Sequence, residues 1–371
     1  MIKKIKKLIT KPGIFFRDYF NKRYPVINNE LRCAEEDELA IIQHTLSQEQ
    51  NLLNTAENFP VDVVYTWVNQ NKVWEEEFNL HKDKVITHEI GQYGMNDARF
   101  EDNNELYYSI KSVRQYIPWV RNIYVVTNNR SDLPNHLLAE DITVITHDEI
   151  IDAEYLPTFN SHVIEAFLHK IPGLSEHFVY FNDDVFVARD LPKEHFFQSN
   201  GLAALFLSSK YLDGMYEKGV HTPSLLASLY SQNLLAREFG CFINQTLVHT
   251  YVPLKKGMYE FAWELYEKEI IGFLSNRFRG NRDINMATFL VPWLMYIHRY
   301  SSVRTDVCYY FNVRSPHAKS QYEKLLQKKE DERPHSICAN DFYSVNSQIN
   351  VYNYKKNLNQ FLERYFNKGI Q

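Results

Sequence analysis

The sequence predicts an α/β fold: a Rossmann-like, mostly parallel sheet flanked by helices, with a mainly helical C-terminal part that completes the site. Three observations carry this. Short β-branched and aromatic runs alternate with amphipathic helical stretches between Pro60 and Asp190, which is the pattern of βαβ units. The polar residues suited to chemistry mostly follow the apolar strands, at the carboxyl ends where sites in such sheets lie. At 371 residues the chain is long enough for one large domain, or one domain with a sizeable insertion.

The elements follow in order. From Glu30 to Phe59 the chain is polar and helix-friendly, with Glu35 to Glu38 leading into Leu39, Ile41 and Ile42 as a helical lead-in. Pro60 marks a change of composition. Val61 to Val68 is β-branched and aromatic apart from Asp62, which predicts a buried strand, and Asn69 opens the loop after it. Asp102 and Glu105 have capping-box spacing, and Leu106, Ile110, Val113 and Ile117 recur at helical spacing until Pro118. Asn122 to Thr127 and Ile142 to Thr146 predict two further strands. Ser161 opens a helix carrying Val163, Ile164, Phe167, Leu168 and Ile171, closed by Pro172 and Gly173. Phe178 to Phe181 is another short strand. From Leu202 to Tyr300 the pattern turns mostly helical, with irregular loops around Gly240 and Gly280. The chain thus divides into a basic segment and lead-in over 1–59, a main domain over 60–345 and a helical tail over 346–371.

Composition narrows the function. With 44% hydrophobic and 23% charged residues the chain is neither disordered nor fibrous. Lys+Arg 41 against Asp+Glu 46 gives a charge of −5, so no nucleic-acid coat is expected. Cys33, Cys241, Cys308 and Cys338 are scattered without a CxxC pair, which argues against a structural metal site or a disulfide framework and fits a reducing cytosol. No apolar run of about 18 residues predicts a bilayer span, and Lys11 with Pro12 interrupts anything resembling a signal peptide. Met1 to Pro25 nevertheless sets eight basic residues against the single acid Asp18, with Leu8, Ile9, Phe15, Phe16, Tyr19 and Phe20 among them. Charge attraction and apolar insertion together predict docking on an anionic membrane surface, with a solvated basic tail as the competing reading. The expected location is cytoplasmic, peripheral on the inner face of the plasma membrane.

Asn182-Asp183-Asp184 puts two adjacent carboxylates at the end of a buried strand. Buried acids need a partner, and hard carboxylate oxygens suit Mg²⁺ or Mn²⁺, which would in turn neutralise a diphosphate. There is no GxGxxG and no GxxxxGK[ST], so basic side chains must grip phosphate. Arg277, Arg279 and Arg282, beside Asp283, supply guanidinium groups for that task, unless they form a solvated charged loop. His249, in Leu247-Val248-His249-Thr250-Tyr251, reads by itself as a core histidine; Glu165 reads by itself as a solvated helix-face acid.

Several segments together resemble the Stealth proteins. Asp62 to Asn69 (DVVYTWVN) resembles their first signature region. Arg99 to Leu106, Ile117 to Tyr124, Leu156 to Ser161 and Asn182 to Phe186 resemble the second. The stretch from His249 through Arg279 and Asp283 resembles the third, and Cys338-Ala339-Asn340-Asp341 the short fourth. Asn69, with Gln70 and Asn71, departs from the glycine-containing turn of many members. The family includes bacterial capsule phosphotransferases and the catalytic subunit of the animal lysosomal-enzyme N-acetylglucosamine-1-phosphotransferase. The resemblance implies transfer of a sugar 1-phosphate from a nucleotide sugar to a hydroxyl of a glycan or polyol-phosphate acceptor, with a nucleoside monophosphate released. It implies catalytic roles for Asp183, Asp184, Glu165, His249 and Arg279, with metal on Asp183 and Asp184. Asp62, Asn69, Arg99, Asn182 and Arg282 are expected in the donor-binding crevice, although Asp62 begins its strand and has a structural reading as well. The alternatives are a metal-dependent glycosyltransferase releasing a nucleoside diphosphate, and a non-catalytic glycan-binding assembly protein. No pattern in the sequence encodes the number of copies.

Overall fold

The computed structural model describes residues 7–25, 27–31, 33–52, 59–69, 71–82, 104–138, 141–341 and 353–367. The chain enters through helix α1 (Pro12–Arg23), which has proline in its first turn, a two-residue strand β1 (Asn28–Asn29) and helix α2 (Glu35–Leu52). Four acids in the first turn of α2 complement its dipole. The predicted sheet follows. Its strands are β2 (Val61–Thr66), β3 (Ile123–Thr127), β4 (Thr143–Thr146) and β5 (His177–Asn182), accompanied by α3 (Lys72–Lys82), α4 (Glu105–Tyr116) and α5 (Ser161–Ala166). The chain continues through β6 (Val185–Val187), β7 (Ala203–Tyr211), α6 (Pro223–Phe239), β8 (Gln245–Leu247), β9 (Val252–Lys255) and α7 (Lys256–Leu274). It ends with α8 (Val291–Ile297), β10 (Ser301–Arg304), β11 (Cys308–Asn312), α9 (Ala318–Leu326), β12 (Ser336–Asn340) and α10 (Tyr354–Phe366).

The main sheet has the order β4-β3-β2-β5-β9, parallel throughout except for the antiparallel edge strand β9. Val61 to Tyr65, all of β3 and His177 to Phe181 are buried without alternation, as a parallel sheet covered on both faces requires. In α4 the expected positions Leu106, Ile110 and Val113 are buried, and the helix follows Asn104 in the left-handed region at φ 66°. Asp102, the expected cap, lies outside the described residues.

Two expectations change. The helix opened by Ser161 stops at Ala166 rather than running to Ile171, and a 3₁₀ turn over Leu168–Lys170 takes its place. The indole Nε1–H of Trp263 donates to the Ala166 carbonyl at 2.8 Å, occupying an acceptor that a longer helix would use. The stretch from Leu202 to Tyr300 is helical in part but also holds β7, β8 and β9. Its Leu202-Ala203-Ala204-Leu205-Phe206 has helix-forming composition, yet β7 pairs in parallel with β10 and antiparallel with β8, so tertiary pairing overrides propensity.

A second sheet has the order β1-β11-β12-β6, with β11 and β12 parallel and β6 antiparallel to β12. Asp183 and Asp184 therefore occupy the corner where the chain leaves β5 in the main sheet and enters β6 in the second. The tail helix α10 joins the core through Leu358, Phe361, Leu362, Tyr365 and Phe366, and Phe361 stacks on Tyr322 with ring centroids 4.5 Å apart. No helix among the described residues is long and apolar enough to cross a membrane.

Candidate active site

The carboxyl ends of β2, β4 and β5 open into a cavity of about 140 Å³ whose wall includes Trp67, His147, Glu165, Asn182, Asp183 and Arg279. Glu165 is only 6% exposed, so it is a cavity wall residue rather than the solvated acid its helix position suggested. It comes from α5, whose start is fixed by the Asn160 side chain accepting from the His162 N–H at 3.0 Å. Asn182 accepts at Oδ1 from the Tyr180 hydroxyl at 3.1 Å. Burial, and after it the Glu165 charge, pushes the Tyr180 phenol well above its ordinary range, so that hydroxyl stays a donor.

Arg279 reaches this cavity because its loop is tied down from beneath. Asp283 is fully buried and accepts from Asn160 Nδ2 at 2.8 Å, His162 Nδ1 at 3.0 Å, Asn276 Nδ2 at 2.8 Å and the Gly280 N–H at 2.9 Å. One carboxylate thus binds the loop to the start of α5, the helix that carries Glu165, and sets Arg279 against it. The Arg279 guanidinium donates to the Ser161 hydroxyl and, at 3.5 Å, to that of Ser224. Arg277 serves the backbone instead, donating to Pro157 O at 2.7 Å and Glu154 O at 3.3 Å.

Asp184 faces different company. Its Oδ2 accepts from Cys338 Sγ at 3.4 Å and Asn340 Nδ2 at 3.2 Å, while its carbonyl accepts from the Ala339 N–H at 2.9 Å. His249 completes that group: one ligand atom from each of Asp184, His249 and Cys338 lies within 4.8 Å of the others. His249 is exposed between buried Val248 and Thr250, so the structure does not place it in the core. Its loop is fastened from below, because Thr250 Oγ1 donates to Ser336 Oγ at 2.7 Å and the Tyr251 hydroxyl donates to Asp306 Oδ2 at 2.5 Å.

The remaining predicted residues scatter. Asp62 sits at the opposite end of β2, fully buried, with its oxygens taken by Arg121, the Asn122 N–H and the Ser175 N–H, so it clamps the start of the sheet and does not reach the cavity. Asn69 donates to Asp132 O at 2.8 Å and ties two loops together. Arg282 is exposed on the arginine loop and does not line the cavity. Arg99 lies outside the described residues. His147 and Trp67 were not singled out by the sequence, yet both line the cavity with buried ring nitrogens that have no partner among the described residues. Burial pushes the His147 imidazole down to about 4, so it is neutral there. The only cue to either was its place just after a strand end.

For a hard cation such as Mg²⁺ or Mn²⁺, the oxygens of Asp183 and Asn182 are the fitting donors, since such ions are bound by one or two carboxylates with substrate phosphates completing the shell. The pair assigned from sequence is therefore divided between the cavity and the Cys338 side of the corner. A second buried group, His195, Asp306 and His335, does not fit a metal. The Val307 N–H donates to His335 Nδ1 at 2.9 Å, so Nε2 must carry the ring proton and has no lone pair to offer.

Residues 99–205 match the family model described as Stealth protein CR2, conserved region 2. The chain is 52% identical to the capsular polysaccharide phosphotransferase fcs1 of Haemophilus influenzae over 98% of its own length and 100% of that protein's. It is 50% identical to a capsular polysaccharide phosphotransferase of Actinobacillus suis, over 99% of each chain. It is also 48% identical to the capsular polysaccharide phosphotransferase LcbA of Neisseria meningitidis, over 98% of this chain and 100% of that one.

Proposed function

Because this chain belongs to the Stealth family, together with capsular polysaccharide phosphotransferases of several bacteria, we propose that it transfers a hexose 1-phosphate from a nucleotide sugar to a hydroxyl of a glycan or polyol-phosphate acceptor. The product is a phosphodiester of a capsular or cell-surface polysaccharide, and a nucleoside monophosphate leaves. The observation that carries this reading is the single cavity in which Glu165, Asn182, Asp183 and Arg279 meet. Phosphoryl transfer needs an acceptor that loses a proton, a restrained phosphate and an in-line approach. Arg279, held in place by the Asp283 loop, grips the transferring phosphate. Glu165, walled off from bulk water, accepts the acceptor's proton. His249, on the other side of the corner, serves as acid/base or as a hydrogen-bond donor to developing charge. A divalent cation held by Asp183 with neighbouring oxygens would supply charge neutralisation to the diphosphate.

Incubation with a panel of nucleotide sugars, with and without EDTA, followed by phosphorus NMR tests this reading. The expected products are a phosphodiester and a nucleoside monophosphate, with the reaction lost in EDTA. Release of a nucleoside diphosphate would replace phosphoryl transfer by glycosyl transfer at the anomeric carbon. The anionic membrane surface belongs to the same proposal: α1 carries Phe16, Tyr19 and Phe20 exposed among Arg17, Lys22 and Arg23, which supports a peripheral enzyme.

A further inference from the structure

Asp183 and Asp184 form the turn between β5 and β6, and their side chains join two donor sets of different chemistry. Asp183 joins Glu165 and Asn182, all oxygen. Asp184 joins an imidazole and a thiol. We infer that Asp184, His249 and Cys338 form a site for a borderline-soft, thiophilic divalent cation of the zinc class, and that an ion seated there blocks the enzyme.

The donor set and its geometry carry the inference. One oxygen, one nitrogen and one sulfur lie within 4.8 Å of one another, with Asp184 Oδ2 and Cys338 Sγ already 3.4 Å apart. Three protein ligands of mixed O, N and S type with an open fourth position suit zinc, whereas Mg²⁺ avoids sulfur and keeps its waters. Two of the three are held from below. Cys338 lies in β12 opposite Val185 of β6, two residues from Ser336, and Ser336 donates to Asp306 Oδ1 at 2.9 Å. The backbone carbonyl of His249 accepts from Cys308 Sγ at 3.3 Å, and Thr250 and Tyr251 anchor the same turn. The exposed His249 ring leaves the site open to an ion from solvent, while Cys338 forms its buried floor. As the ion binds, the thiol releases to solvent the proton it now donates to Asp184, and His249 offers a neutral ring nitrogen. Occupancy removes the His249 lone pair and the Asp184 charge from any other use. That second half of the inference rests on the function proposed above; the binding half does not.

The experiment titrates the full chain with Co²⁺ as the spectroscopic probe, displaces it with Zn²⁺, and follows nucleotide release at fixed Mg²⁺ with rising Zn²⁺. Expected are one equivalent of Co²⁺ with thiolate charge-transfer absorption in the near ultraviolet, quenched by Zn²⁺ and unaffected by excess Mg²⁺. Cys338→Ser keeps a hydroxyl donor for Asp184 and should abolish that absorption. It should weaken binding at least roughly 100-fold, since loss of a ligand exceeds the 10–100-fold effect of losing a group that merely supports one. His249→Ala, at an exposed position where an edge contact with the Tyr310 ring is lost, should weaken binding comparably. Zinc should inhibit the unaltered chain and not Cys338→Ser. Absent thiolate absorption, or unchanged Zn²⁺ affinity in both variants, overturns the site even if the enzyme is active. A normal cobalt spectrum with turnover indifferent to zinc overturns instead the part given to Asp184 and His249 in the reaction.

Discussion

Asp183 and Asp184 are neighbours in sequence with different surroundings, and their chemistry divides accordingly. Asp183→Asn should lower turnover by at least ~100-fold with the fold intact, because a neutral amide forfeits several kcal/mol of charge stabilisation beside a metal and a diphosphate. Asp184→Asn should also lower turnover, but through His249 beside it rather than through that metal, and steady-state turnover alongside a thermal melt checks both. Activity that survives Asp183→Asn and tolerates EDTA would sink the metal assignment. Arg279→Lys should be nearly as damaging as Arg279→Ala, since a point charge cannot reproduce a two-pronged grip on phosphate; recovery of most activity by Lys would reduce Arg279 to general positive potential. The acidic pair and Arg279 were legible in the sequence because each follows from a local feature: carboxylates after an apolar strand, guanidinium groups where no glycine loop exists. Glu165 was not legible from spacing, since nothing in its own helix says that Tyr180 and Arg279 close over it. Cys338 was hidden more deeply. Its partners Asp184 and His249 are distant in sequence: the register of β12 against β6 brings Cys338 to Asp184, and the turn between β8 and β9 brings His249.

At the scale of elements, the site depends on loops that a periodic reading assigns to nothing. The loop 276–283 stands on Asp283, and Asp283→Ala would take this acceptor from His162, Asn276 and the Gly280 N–H, while Asn160 Nδ2 keeps the carbonyls of Asn276 and Phe278. Removing one side of such a network costs on the order of 3–5 kcal/mol, so the denaturant midpoint should fall and turnover should fall with it below the melting range as Arg279 loses its seat. An unchanged midpoint would show that the loop stands on other contacts. The strands and α4 were legible because β-branched runs and helical spacing are local signals, whereas β7 and the early end of α5 are decided by partners distant in sequence, namely β10, β8 and the Trp263 indole. Helix α1 makes its own prediction. Each Lys or Arg near an anionic surface contributes on the order of 1 kcal/mol, less once salt screens it, and the exposed Phe16, Tyr19 and Phe20 add insertion. Deleting residues 1–25 should abolish co-sedimentation with anionic vesicles while turnover on a soluble acceptor persists. Equal sedimentation of the two chains, or binding indifferent to lipid charge, would leave α1 a solvated tail.

For the whole molecule, the core runs from Ile42 of the lead-in through both larger sheets to Phe366 of the tail, so stability is shared by segments that composition alone had set apart. Buried histidines make that stability depend on pH in a defined direction. Burial pushes His147 down to about 4 and His335 down to about 3, and it pushes His169 and His177 down to about 4 as well. In the unfolded chain each titrates near its ordinary value of about 6.5, so between there and about 4 the unfolded state binds more protons and stability falls as pH drops. The contribution is fully present above about 6.5. His147 and His335, both almost wholly buried, should each steepen that decline near pH 5, by on the order of 1 kcal/mol per pH unit. Asp306 acts in a lower window: its pKa is held down against the opposing cost of burial by His195, His335 and Tyr251, so its share is kept above about 3.8 and lost only below that. His335→Asn retains an acceptor for the Val307 N–H and removes one titration, so its stability should decline less steeply over the same range. Urea unfolding of both chains at intervals from pH 7.5 to about 4.5 measures the slopes. A midpoint that does not move between about pH 6.5 and 5, or an unaltered slope in His335→Asn, would mean that these imidazoles take up protons in the folded state.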